Sequence, residues 1–166
     1  MIESIRLFED YEGNFPFSGP QYAEECTYVN ELVYFIDDWV STQKIDHSGI
    51  PKEELIYIFG VVKDYYNFLT DKNISEDTFS ILRKKTLDYN SNKANDETFR
   101  LDDPRINYFP FEDFSYIHMI MTKIQRIESL FNSKSSPNFE GKADSLIDCA
   151  AYLAFYYSFV IDKEKV

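Results

Sequence analysis

The sequence predicts an all-α protein, a five-helix bundle with one long polar loop. Three observations lead there. Glycine (5) and proline (6) are scarce for a chain of 166 residues, which disfavours a turn-rich β fold. Apolar residues recur at helical spacing in five stretches, and no stretch alternates as a half-buried strand would. Hydrophobic residues make up 44% of the chain, enough for one real core, so residues 1–166 read as a single domain.

Residues 1–20 read as an irregular leader, broken by Gly13, Pro16, Gly19 and Pro20. The first helix fits Tyr22 to Thr42, with Val29, Leu32, Phe35, Ile36, Trp39 and Val40 on its inner stripe and Glu24 and Glu25 favouring its dipole. Asp46-His47-Ser48-Gly49 reads as a loop, after which Pro51 opens a helix to about Leu69. Its inner residues are Leu55, Ile58, Phe59, Val62, Tyr65, Tyr66 and Leu69, and Gly60 marks a close helix contact. Ser75 is placed to cap a third helix, whose buried side is Phe79, Leu82, Thr86 and Tyr89. Asn90 to Pro110 is the long polar connection, containing Lys93, Arg100 and Arg105. The fourth helix, Glu112 to Phe131, carries Ile117, Ile120, Met121, Ile124, Ile127 and Phe131 inward, with His118 as a packing residue at the stripe's edge. After a Ser/Asn/Pro turn over 132–138, the fifth helix closes near Ile161, with Leu146, Ala150, Leu153, Tyr157 and Val160 as its apolar stripe.

Charge divides the chain. Residues 1–80 hold 5 basic against 16 acidic residues, whereas residues 81–166 hold 12 against 13. A total of −12 disfavours broad binding to a nucleic-acid backbone. It leaves room for a small anion held by a local basic cluster, and ten of the 17 basic residues lie between Arg83 and Lys142. No apolar run approaches membrane-spanning length, and the N-terminus lacks a signal-peptide layout. Cys26 and Cys149 lie outside any metal or redox spacing and read as buried thiols of a reducing compartment, so a cytoplasmic location is expected.

The chemistry-bearing residues cluster late. Glu140, Asp144 and Asp148 are four apart, so successive side chains turn by only about 40° and descend one helix edge. Such an edge fits a Mg²⁺ site, since Mg²⁺ takes carboxylate oxygens and bridges them to phosphates; it equally fits a solvated acidic face at a helix start. Lys123 and Arg126 share one flank of the preceding helix and suit phosphate binding. A short turn joins the two helices, so the basic pair would lie opposite the acidic edge, serving either a Mg²⁺-bridged phosphate or plain salt bridges. Asp88-Tyr89-Asn90, after Arg83-Lys84-Lys85, closes the third helix as a second charged cluster.

These blocks carry a resemblance. Lys85 with Asp88-Tyr89-Asn90, then Lys123-Ile124-Gln125-Arg126, then Glu140, Asp144, Asp148 and Tyr152 resemble the phage and bacterial proteins grouped as DUF1599 or nucleotide-modification-associated domains. These are distant relatives of the MazG-like all-α nucleotide pyrophosphohydrolases. The resemblance covers residues 82–160; residues 1–80 form a separate acidic, helical half. It implies a nucleotide held by Lys85, Asp88, Tyr89, Lys123, Arg126 and Tyr152. It also implies Mg²⁺ on Glu140, Asp144 and Asp148, with the same carboxylates serving hydrolysis, and sites shared within a homo-oligomer. The family's Glu-Glu-x-x-Glu motif is not reproduced: Glu24-Glu25 is followed only by Glu31, so Asp88, or Asp37 and Asp38, would have to complete the metal cage. Three functions therefore stay open: a Mg²⁺-dependent nucleoside triphosphate pyrophosphohydrolase, a non-catalytic sponge for a nucleotide signal in antiphage defence, and an acidic protein-binding module.

Overall fold

The computed structural model describes residues 6–14, 24–46, 49–70, 78–95, 109–133 and 139–164. Expectations placed on the remaining residues lie outside it: the breakers Pro16, Gly19 and Pro20, the His47 loop, the Ser75 cap, most of the polar connection and the 134–138 turn. The described residues form an all-α bundle of six helices: α1 (Arg6–Asn14), α2 (Glu25–Asp46), α3 (Lys52–Thr70), α4 (Thr78–Asn95), α5 (Asp113–Asn132) and α6 (Phe139–Glu164). The class is as expected, with one helix more than the five the sequence suggested.

The additional helix is α1, inside the stretch read as an irregular leader. It is too short to be stable alone and is held by tertiary contacts. Leu7 and Phe8 are fully buried, and the Phe8 ring meets Phe59 and Phe79 edge-on at 4.8 and 5.2 Å. Arg6 pairs with Asp162, and the Tyr157 hydroxyl donates to Asp10, so α1 is tied to α6 by two polar links.

Helix ends follow local chemistry. The Pro51 carbonyl accepts the Glu54 and Leu55 amides at 3.0 and 3.3 Å, so Pro51 sits just before α3. The α5 helix begins at Asp113, one residue later than expected, because Glu112 takes a left-handed φ of 52° in the turn that feeds it. The α4 helix runs on to Asn95, into the sequence expected to form the long connection.

At the centre is α6, packed against α1, α3, α4 and α5. All ten residues from Cys149 to Ser158 are buried, which is nearly three turns with no solvent face. The single stripe expected from Leu146, Ala150, Leu153 and Tyr157 is thus only one side of a wholly enclosed segment. Ala150, Ala151 and Ala154 let neighbouring helices approach, while Tyr152, Phe155 and Tyr156 fill the gaps. By length and apolarity Gly141–Glu164 would also suffice to cross a membrane, contrary to the sequence reading; here 72% of that apolar window is buried inside the protein.

Candidate functional site

Helices α5 and α6 run antiparallel. Contacts pair the start of α5 with the end of α6 (Asp113 with Tyr156 and Lys163) and its middle with the early part of α6 (Lys123 with Asp148). This register brings four of the expected site residues to one surface. The Lys123 ammonium lies 3.0 Å from the Asp148 carboxylate, with the two side chains 23% and 35% exposed. Three residues on, Arg126 is exposed, and the antiparallel register sets it level with exposed Asp144. An ion pair this open to solvent is worth about 0–1 kcal/mol, so its two charges exchange partners readily.

Other expected residues are placed differently. Tyr152 is 3% exposed, with its ring packed edge-on to Phe109 at 6.2 Å and Phe155 at 6.3 Å, which makes it part of the core. Lys85 and Asp88 are exposed on α4, whose inner edge carries buried Leu82 and Thr86. The side chains of Tyr89 and Glu140 lie outside the described residues. Asp37, considered for the metal cage, lines a groove between α2 and α5 with Gln125 and Glu128, on the flank of α5 turned away from Lys123. His118 is exposed rather than packed.

The Mg²⁺ implied by the resemblance finds a partial donor set. Asp144 and Asp148 supply hard carboxylate oxygens one helical turn apart. Among the described residues no three His, Cys, Asp or Glu side chains converge on a cation position. Two carboxylates fit a Mg²⁺ that keeps its waters and arrives on phosphate, rather than an ion held by the protein alone.

Next to Asp148, the fully buried Cys149 thiol is pushed up to about 12 by burial and then by the Asp148 charge, with Lys123 opposing. It is inert as a nucleophile at neutral pH. Cys26, expected to be buried, is only half-buried, and its thiol lies 3.3 Å from a Glu24 oxygen.

Two polar clusters escaped the sequence reading. In the first, buried Lys142 donates to Glu25, which also accepts the Tyr65 hydroxyl at 2.6 Å. Burial and then the Glu25 hydrogen bond and charge hold the Tyr65 phenol far above its ordinary range. Glu25, half of the nearest candidate for the family's acidic motif, is thereby committed to tying α2, α3 and α6 together. In the second, the Ile50 amide donates to the Tyr156 hydroxyl (3.2 Å), which donates to Asp113 (2.5 Å), and Lys163 donates to the other Asp113 oxygen (3.1 Å). Local spacing carries no signal for either cluster, because Lys142 and Glu25 are 117 residues apart and Ile50 and Tyr156 are 106 apart. Compared with known protein families, curated proteins and solved structures, the chain shows no match.

Proposed function

We propose that the protein binds a nucleotide, or a nucleotide-derived phosphate, on the surface where α5 and α6 run side by side, as a MazG-like protein would. Lys123 and Arg126 take the phosphates, and Asp144 and Asp148 take the Mg²⁺ that accompanies them. The observation that carries this reading is the half-exposed Lys123–Asp148 pair. Its weakness lets a phosphate claim the ammonium and a cation claim the carboxylate at little cost, and Arg126 and Asp144 extend the same arrangement by one turn. Binding is better supported than hydrolysis, since the MazG-type reaction uses acidic residues from two helices and, among the described residues, carboxylates reach this surface from α6 alone.

The test is mass spectrometry of a mixed panel of linear and cyclic nucleotides incubated with the protein and Mg²⁺, reading both products and what stays bound after desalting. Conversion of a triphosphate to monophosphate and pyrophosphate identifies a pyrophosphohydrolase, and retention of unaltered nucleotide identifies a sequestering protein. Lys123→Met and Arg126→Ala should each weaken binding by about 10- to 100-fold, the worth of a charge-assisted hydrogen bond. If the panel shows no conversion and no nucleotide stays bound, the reading is refuted.

A further inference from the structure

A groove of about 410 Å³ runs between α2 and α5, on the flank of α5 away from Lys123. Its floor is apolar, formed by Val33, Val40, Met121 and Ile124, and Asp37 and Glu128 stand on its two edges. Among the described residues, the nine that line it include these two carboxylates and no Lys, Arg or His. Continuing round α2, Tyr34 lies one turn before Asp37 and Asp38 on the solvent face and is 73% exposed. Large exposed aromatics beside an apolar groove are typical anchors of protein contacts, and a tyrosine ring also receives cations on its face.

The charge around the groove selects among occupants. Residues 1–80 carry a net −11, and acidic groups crowd one another there: Glu54 is shifted upward by burial and then by the neighbouring charges of Asp38 and Glu53. An anionic lipid surface, a nucleic acid or an acidic segment would be repelled. A cylinder of apolar side chains flanked by Lys and Arg would fill the floor and neutralise both edges. We propose that the α2–α5 groove docks a basic amphipathic helix of a partner protein, its apolar anchors on Val40 and Met121 and its cations on Asp37, Glu128 and Tyr34. This goes beyond the nucleotide reading and stands whether or not that reading holds.

The experiment is fluorescence anisotropy of three labelled peptides of about 18 residues, long enough for five helical turns. The first is a Leu/Lys amphipathic helix, the second is the same composition scrambled to abolish the apolar face, and the third is the Leu/Glu counterpart. The full chain should bind the first at least tenfold more tightly than the second and should not bind the third. Ser41→Trp fills the groove without changing charge and should weaken binding about tenfold or more. Asp37→Asn, at an exposed position, combined with Glu128→Gln, at a half-buried one, should weaken it similarly and flatten its salt dependence. Circular dichroism checks each variant's fold, and the charge variant decides if Ser41→Trp fails to fold. Equal binding of the scrambled peptide, or unchanged affinity in a folded groove variant, would overturn the proposal. So would a concentration-dependent dimer that occupies the groove and excludes the peptide.

Discussion

Tyr156→Phe and Lys163→Met both remove one donor from the same carboxylate, yet they should differ several-fold in cost. Tyr156 is fully buried, and its hydroxyl sits between the Ile50 amide and Asp113. The substitution keeps the ring, which stacks on Tyr116 at 5.2 Å and meets Trp39 at 5.6 Å, so no cavity opens. It deletes a hydrogen bond to a charged acceptor, worth about 1.5–3 kcal/mol, and strands the buried Ile50 amide for about 1–3 more. The relief from no longer burying a hydroxyl returns part of that, leaving about 2–4 kcal/mol. The Lys163 side chain is 54% exposed, so losing its charge should cost about 0–1 kcal/mol. Urea unfolding followed by circular dichroism measures both. For a chain of this size about 3 kcal/mol corresponds to a fall in Tm of roughly 6–12 °C. Equal costs, or a Tyr156→Phe cost below about 1 kcal/mol, would refute the argument that Tyr156 is the link on which this junction of α3, α5 and α6 depends.

Gly49→Ala tests the same junction from the backbone, because Gly49 has a φ of 78° and a Cβ there would meet Asp113 Oδ1 at 2.7 Å; a loss of about 2 kcal/mol or more is expected in the same urea titration. Asp64 is a half-buried carboxyl pushed up from 3.8 to about 6 by burial, against an opposing Lys63 charge. The folded state therefore holds this proton more tightly than the unfolded chain, and stability is lost as pH rises from about 4 to about 6. Asp64→Asn should stabilise the protein at pH 7 by about 1–2 kcal/mol, allowing for solvent screening, and by nothing near pH 4, as paired melts would show. Iodoacetamide should label Cys26 and leave Cys149 untouched in the native protein, as read by intact mass; labelling of Cys149 at a comparable rate would contradict its burial.

What the sequence made legible depended on the range of each signal. The helical class and most helix positions follow from local periodicity, and the facing of Lys123 and Asp148 follows from a short connection between two recognised helices. The enclosed state of α6 does not, because a segment apolar on every side has no preferred phase and reads as whichever stripe is sought first. Tyr152 shows the limit of spacing. Residues four apart drift by about 40° per step, so the row from Asp144 through Asp148 to Tyr152 turns by about 80°. Along it, exposure runs from exposed to half-buried to 3%, and the third member has rotated into the core. The α1 helix was hidden for a different reason: its buried Leu7 and Phe8 are adjacent, and two neighbouring apolar residues display no period.

Both proposals use α5, and its geometry keeps them separable. Ile117, Ile120, Ile124 and Ile127 bury one side of the helix, and its first turn is anchored through Asp113. Lys123 then emerges beside α6, while Met121, Gln125 and Glu128 emerge beside α2. Side chains two positions apart on a helix point about 200° apart, so a phosphate on Lys123 and a peptide against Gln125 share no contact residue. Sites joined only through a packed, pinned helix couple weakly unless the helix has two stable positions. The docking proposal therefore stands on the lining of the α2–α5 groove, with Asp37 and Glu128 on its edges, and a loss of nucleotide binding in a Lys123 variant would leave it untouched.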